Sequence, residues 1–246
     1  MTPAGRPTSK AALAPRAVPG FWAQAARIAA KDLAIEWKSR EILATSAFLA
    51  VVIVLVFSFA FVVGGTAPAP TVVAGILWVA ILVSGVVGLG RTFDRERDGD
   101  AIRALLLSPV PRAAIYVGKL AATVALMLGV ESAVAVLVGV FFNARVGDNA
   151  GRIALLLALG TVGFAAVGSV FSAALLRSKS RDVLLSTLLY PIVVPLLIAG
   201  ARGTAHLLDF APDVDAAVFW TEFMVVVDVV FLVVGLWAFE PIVAGD

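Results

Sequence analysis

The stretch Ile42-Leu-Ala-Thr-Ser-Ala-Phe-Leu-Ala-Val-Val-Ile-Val-Leu-Val-Phe-Ser-Phe-Ala-Phe-Val-Val63 contains no charged residue. As a helix rising ~1.5 Å per residue, it is long enough to cross the ~30 Å hydrocarbon core of a bilayer. Five further apolar runs follow at residues 72–90, 113–142, 153–176, 183–200 and 217–239. Hydrophobic residues make up 61% of the chain and charged residues only 15%. A soluble protein could not bury so much apolar surface, so the sequence predicts a membrane protein.

The length of the apolar runs decides between helices and a barrel. Inside a bilayer every backbone N–H and C=O needs a partner within the protein, which leaves helical bundles and closed barrels. Barrel strands are ~10 residues long and alternate in polarity. These runs are longer and do not alternate. We therefore predict an all-α integral membrane protein in which residues 42–243 form one domain of six transmembrane helices.

The residues before the first apolar run divide into two parts. Residues 1–19 are rich in Ala, Pro and Arg and are predicted to be a disordered cytoplasmic tail. Residues 20–41 are predicted to form an interfacial helix on the inner membrane surface. Apolar side chains recur there at steps of three or four, and basic side chains lie roughly opposite. The apolar positions are Trp22, Ala26, Ala29, Leu33 and Trp37, and the basic ones are Arg27, Lys31 and Lys38.

The distribution of basic residues predicts the orientation. With the N-terminus inside, sixteen Lys and Arg residues fall on the cytoplasmic side of the six spans. Only Arg145, Arg152 and Arg202 fall outside. Cytoplasmic loops carry such an excess of Lys and Arg. We therefore expect both termini in the cytoplasm.

The segment between the second and third runs, residues 91–112, is the most charged part of the chain. Its acidic and basic residues alternate, and Gly99 and Pro109 predict two short helices with a bend between them. It is either a solvated hairpin or a docking surface for a soluble partner. Its length favours docking, because a simple connector could be shorter.

Polar and helix-breaking residues inside the spans are candidate functional residues. Pro191 and Pro195 should kink or break the fifth span, since each removes a backbone donor. Three acidic residues also lie within the apolar runs, and placing a charged carboxylate inside a bilayer costs free energy. They are Glu131, Glu222 and Asp228. They could serve a proton relay or a polar path, or could be neutral groups bonded to a neighbouring helix.

The residue inventory argues against catalysis by this chain. It has no cysteine and only one histidine. Thiolate metal sites and Cys–His pairs therefore cannot form, and the composition gives little support for a catalytic Ser–His pair. Gly118-Lys119 lacks the upstream glycine of a phosphate-binding loop. We expect a non-catalytic subunit without a metal. His206, placed in an outer loop, is a candidate haem ligand, although a lone loop histidine is usually an ordinary polar residue.

Several segments together resemble a known family. They are residues 75–82, 90–93, 105–109, 116–119, the double-proline stretch 184–198 and Phe239-Glu-Pro241. The chain is similar to the CcmB family, whose members are membrane proteins of haem export in cytochrome c maturation. It departs from the family pattern at Gly99-Asp100 and Ile102-Arg103, where members often have Asp-Gly and a Leu-Glu pair.

The resemblance implies the membrane subunit of an ABC-2-like exporter that works as a homodimer with a separate ATP-binding subunit. It also implies a location in the inner membrane of a bacterium. Haem would be a cargo rather than a bound cofactor, ATP would bind only the partner, and further membrane proteins of cytochrome c maturation would be companions. The implied coupling region lies within residues 91–112. Its candidate residues are Arg91, Phe93, Asp94, Arg95, Glu96, Arg97, Asp98, Gly99, Asp100 and Arg103.

Other functions stay open at this point. An ABC-2 exporter could carry a polysaccharide, a lipid or a drug instead of haem. An ion-coupled secondary transporter would use Glu131 and Asp228 and would work without ATP. A membrane scaffold for the maturation machinery would transport nothing.

Overall fold

The computed structural model describes residues 19–62, 68–98, 110–174 and 181–244, and within these ranges the chain forms seven α-helices and no strands. Six of the helices, α2 to α7, are long and apolar enough to cross a membrane. The predicted all-α class with six spans is therefore confirmed. The helices are α1 (Phe21–Ser39), α2 (Glu41–Phe61), α3 (Pro70–Asp98), α4 (Arg112–Phe141), α5 (Ala150–Ala174), α6 (Arg181–Leu208) and α7 (Val214–Ala244).

The central helix of the bundle is α5. It packs against α4, α6 and α7, while α3 lies between α2 and α6. Small residues in the middle of α5, among them Gly160, Gly163 and Gly168, are buried. Lipid tails are as apolar as the side chains, so helices in a membrane associate mainly by close packing at such small residues. The bundle is therefore built around the helix with the smallest side chains.

The first helix, α1, packs along the beginning of α4. A Cβ added at Gly118 would lie 2.7 Å from the backbone oxygen of Ala25 and 2.8 Å from Cβ of Ile28, so this close crossing needs a glycine. The predicted apolar face points elsewhere, because Trp22 and Trp37 are each 75% exposed. A helix with one face on the bundle and an exposed Trp face fits an interfacial position, which stays a prediction. The tail predicted at 1–19 lies, apart from Pro19, outside the described residues.

A tight corner joins α1 to α2. Arg40 adopts the left-handed conformation with φ 55°, which lets the two helices follow each other directly. The carboxylate of Glu36 accepts hydrogen bonds from the backbone N–H groups of Ile42 (2.8 Å) and Leu43 (3.0 Å). It therefore caps the N-terminus of α2, where free N–H groups and the helix dipole favour a negative charge.

The fifth span is longer than predicted. The apolar run suggested 183–200, but α6 extends from Arg181 to Leu208, so the expected outer loop at 201–216 is mostly helical. His206 accordingly lies in the last turn of α6, and its placement in a loop was wrong. The cause is tertiary packing: Thr204 and Leu207 of this weakly apolar end are buried in the bundle.

Two further expectations about helix breaks need correction. The helix α6 runs without interruption through Pro191 and Pro195, so the predicted break is wrong, and a kink stays a prediction. Both prolines are exposed, and the buried face of α6 is formed by other residues, Leu189, Val193 and Leu196. The first charged piece after the second span is not a separate short helix either, because α3 continues to Asp98.

Candidate functional site: the charged end of α3 and the buried polar groups

The charged end of α3 extends beyond its membrane-spanning part. The apolar span of α3 ends at Gly90, but the helix continues to Asp98. Eight more residues at ~1.5 Å each carry the helix ~12 Å further. The candidate coupling residues on this extension are Arg91, Phe93, Asp94, Arg95, Glu96, Arg97 and Asp98. Gly99, Asp100 and Arg103 lie outside the described residues.

The middle of α3 is locked into the bundle by Trp78. Its indole ring, 3% exposed, lies between Gly160 of α5 and Gly200 of α6, and a Cβ at either glycine would overlap the ring. The indole N–H donates a hydrogen bond to Oγ1 of Thr204 at 3.0 Å. Three helices thus meet at one side chain, which belongs to the core and not to a belt at the membrane surface.

A second lock between α3 and α5 lies closer to the charged end of α3. Leu89 of α3 is fully buried and occupies the space that a Cβ of Gly168 on α5 would need. Trp78 and Leu89 are eleven residues apart, ~16 Å along the helix. Trp78 and Leu89 therefore anchor α3 to α5, and the charged end continues the same helix.

Glu131 of α4 is buried and contacts the central helix. Its Oε2 lies 2.6 Å from Oγ1 of Thr161 on α5, and the same hydroxyl oxygen lies 2.7 Å from the carbonyl oxygen of Leu157. A hydroxyl has one hydrogen to donate. Thr161 can therefore donate to Oε2 of Glu131 or to the Leu157 carbonyl oxygen, and the first of these bonds joins α4 to α5.

Asp228 of α7 is buried on another face of α5. Its carboxyl group packs directly against Gly163, and Leu196 of α6 closes the same site. Neither carboxyl oxygen has a hydrogen-bond partner among the described residues. Thr161 and Gly163 are two residues apart on a helix and so face different directions. The two carboxyl groups therefore lie at similar depth along α5 but are not brought together. Glu222 is exposed and joins neither group.

The histidine does not form a recognisable ligand site. His206 is half-buried in the last turn of α6. Among the residues described, no three His, Asp or Glu side chains cluster in a way that could hold a metal ion. A haem-ligand role for His206 stays a prediction.

Sequence reasoning missed the hydroxyl side chains that accompany these groups. Thr161 binds Glu131, Thr204 binds Trp78, and Ser46 and Thr123 line a cleft that ends at Glu131. The available signal was a Ser or Thr within an otherwise apolar run. That signal is weak, because such residues often bond only to their own helix.

Comparison with known protein families assigns the chain to a family. A family model described as CcmB protein matches residues 23–244, nearly the whole chain. The chain belongs to the CcmB family. No curated protein matches it at a significant level.

Membership in the CcmB family confirms the resemblance and gives the functional class. The family is that of a multi-pass membrane subunit of an ABC transporter in haem export and cytochrome c maturation. Such subunits are generally non-catalytic. The match begins within α1 and ends at the last residue of α7, so in this CcmB protein the α1–α4 contact, both α3 locks and both buried carboxyl groups fall inside the family region.

Proposed function

We propose that this chain is the membrane-spanning subunit of an ABC exporter that moves haem for cytochrome c maturation, acting as a homodimer with a separate ATP-binding subunit. The family match over residues 23–244 carries the proposal. It favours the ABC class over an ion-coupled secondary transporter. ATP is bound and hydrolysed by the partner, both termini are cytoplasmic, and other cytochrome c maturation proteins receive the cargo.

The ATP-binding subunit docks on the charged end of α3 and the segment that follows it. Interleaved acidic and basic residues suit a soluble partner with charges of both signs, since complementary charges give specificity. The backbone from Arg91 to Asp98 is helical and continues α3 beyond its membrane-spanning part.

Force from the partner would travel along α3. The helix has 29 residues, ~43 Å at 1.5 Å per residue, and runs unbroken from Pro70 to Asp98. Displacement of its charged end would move Trp78 and Leu89, and with them the contacts to α5 and α6. A change between inward- and outward-open packing needs an element that connects the docking surface to the packed core, and α3 makes this connection.

Charge reversal on α3 tests the docking surface. We expect Asp94→Lys with Asp98→Lys to abolish co-purification of the ATP-binding subunit and to stop cytochrome c production. The matched control is Asp148→Lys with Asp209→Lys, two exposed acidic residues in the connections before α5 and after α6. Normal assembly and normal cytochrome c in the α3 variant would contradict the docking surface.

Haem quantification tests the cargo. The intact complex, purified with its ATP-binding subunit and reconstituted in vesicles, should accumulate or release haem only with hydrolysable ATP. Transport driven by an ion gradient without ATP would favour the secondary-transporter alternative. ATP hydrolysis stimulated by a polysaccharide, lipid or drug, but not by haem, would replace haem as the cargo.

A further inference from the structure

The first helix, α1, lies across one end of the bundle. In its first half, Ala25 and Ile28 pack against Gly118, near the start of α4. Its second half ends at Ser39, and α2 begins two residues later at Glu41. Since α2 crosses the membrane and α3 crosses back, the starts of α2 and α4 lie on the same side. Both halves of α1 are thus held at the end of the bundle where these two spans begin.

The charges of α1 are sorted between two faces. Its two acidic residues point into the bundle: Glu36 is 1% exposed and caps α2, and Asp32 lies 3.8 Å from Nζ of Lys119 on α4. The carboxylate of Asp32 also pairs with Lys31 at 2.7 Å, so one negative charge is shared between two ammonium groups. The basic residues of α1 are all exposed, and they are Arg27, Lys31 and Lys38. The outer surface of α1 therefore carries an excess of positive charge, which the sequence order of acids and bases does not reveal.

The exposed surface of α1 consists of two strips. Trp22 and Trp37, each 75% exposed, lie ~60° apart around the helix at ~100° per residue. The three basic side chains fall within ~40° of one another and ~130° from the Trp pair. A helix that lies in the membrane surface has this arrangement, with its apolar side turned to the acyl chains and its basic side at the level of the head groups.

The excess of positive charge identifies the kind of lipid. Trp rings favour the boundary between hydrocarbon and head groups, which any phospholipid provides. The basic strip adds a requirement, because a zwitterionic head group has no net charge to offer it. An anionic membrane surface attracts basic residues near it by ~1 kcal/mol each. Since Asp32 and Glu36 are turned to the bundle, they do not cancel this attraction on the outer surface.

We propose that α1 is a binding surface for anionic phospholipid. The head groups contact the basic strip of Arg27, Lys31 and Lys38, while Trp22 and Trp37 lie among the upper parts of the acyl chains. Because α1 packs on α4 at Gly118 and caps α2 through Glu36, lipid bound here holds the starts of two spans at a fixed height in the membrane.

Quenching of Trp fluorescence by brominated lipids tests which lipid lies beside α1. In the full-length protein with Trp220→Phe and Trp237→Phe, Trp22 and Trp37 are the remaining exposed tryptophans, and the buried Trp78 is an unquenched reference. This protein would be placed in phosphatidylcholine nanodiscs. They would contain, at one mole fraction, either brominated phosphatidylglycerol, which is anionic, or brominated phosphatidylcholine, which is zwitterionic.

We expect the anionic lipid to quench about two- to fivefold more strongly than the zwitterionic one. The upper value is the local excess that ~1 kcal/mol of attraction gives. The lower value allows for lipids that touch the Trp rings without touching the basic strip. Combining Arg27→Gln, Lys31→Gln and Lys38→Gln should abolish this preference. Quenching by the zwitterionic lipid should stay unchanged in that variant, which shows that α1 is still in place.

A matched control removes three positive charges from the other end of the bundle. These are the exposed residues Arg145, Arg152 and Arg202, each replaced by Gln. This control should keep the full preference for the anionic lipid. A preference lost equally in the control would assign the effect to the net charge of the protein and overturn the proposal.

The fluorescence measurement can also fail in the parent protein. Equal quenching by the two lipids, or a preference that survives in the α1 variant, would overturn binding of anionic lipid. Quenching by neither lipid would show that protein covers this face, and would overturn it as well. Haem and ATP play no part in the readout, so the lipid surface and the proposed function can fail separately.

Discussion

The contact of Trp78 with Gly200 gives the sharpest stability prediction. A methyl group at Gly200 would overlap the indole ring, which also packs directly against Gly160. Overpacking a close-packed site costs about 1–3 kcal/mol. Moving the ring away would also strain the 3.0 Å hydrogen bond to Thr204, worth ~0.5–1.5 kcal/mol. We therefore expect Gly200→Ala to destabilise the bundle by about 2 kcal/mol.

Thermal unfolding of the purified protein in detergent measures this cost. For a chain of this size, ~2 kcal/mol corresponds to a fall in Tm on the order of 4–8 °C. The matched control is Gly129→Ala in the middle of α4, where an added Cβ meets nothing within 4 Å. That substitution should leave Tm unchanged or raise it slightly, because alanine lowers the entropy of the unfolded chain.

A double mutant separates the proposed contact from a general effect on α6. Trp78→Leu alone should destabilise, since it leaves a cavity and removes the partner of Thr204. In the double mutant Trp78→Leu with Gly200→Ala, the smaller leucine makes room for the methyl group. The double mutant should therefore be destabilised by at least ~0.5 kcal/mol less than the sum of the two single-mutant losses. Strict additivity, or a Gly200→Ala protein as stable as Gly129→Ala, would refute the interlock.

Two other contacts give predictions of the same kind. Glu36→Ala should lower stability by about 1–2 kcal/mol, the usual cost of losing a helix N-cap. Glu36→Gln should lose less stability because it keeps a hydrogen-bond acceptor. The control Lys38→Ala, on the exposed face of α1, should leave stability unchanged in the same unfolding assay. Gly163→Ala should cost about 1–3 kcal/mol because its methyl group would overlap the Asp228 carboxyl group. Adding Asp228→Ala should restore stability, and a double mutant no more stable than Gly163→Ala would show that the clash is not the cause.

The sequence predicts the six spans well because hydropathy reports directly on lipid exposure. The stretch 42–63 has no charged residue, and the structure has α2 at Glu41–Phe61. Prediction of helix ends from hydropathy fails where side chains are buried against other helices and do not face lipid. The end of α6 includes Arg202 and His206, which lower its hydropathy, yet Thr204 and Leu207 are buried against neighbouring helices.

The buried polar groups could be predicted as residues but not as contacts. A carboxylate within an apolar run identifies Glu131 and Asp228 as unusual. Their partners are not readable from the chain, because Thr161 lies 30 residues from Glu131 and becomes its neighbour only through the packing of α4 on α5. The glycine opposite Asp228 is likewise one of 21 in the sequence. Pairing is a property of the helix arrangement, which hydropathy does not encode.

The small side chains of α5 connect packing to the transport proposal. Gly160 admits Trp78 and Gly168 admits Leu89, both from α3, while Gly163 admits Asp228 from α7. The two contacts, at Trp78 and Leu89, lie ~16 Å apart along α3, so α3 cannot bend freely between them. A displacement of the Asp98 end of α3 must therefore either tilt α3 together with α5 and α6 or break one of the two locks. Because both locks occupy space that only glycine leaves free, breaking one would leave a void in the bundle, and collective movement of the three helices is the less costly response.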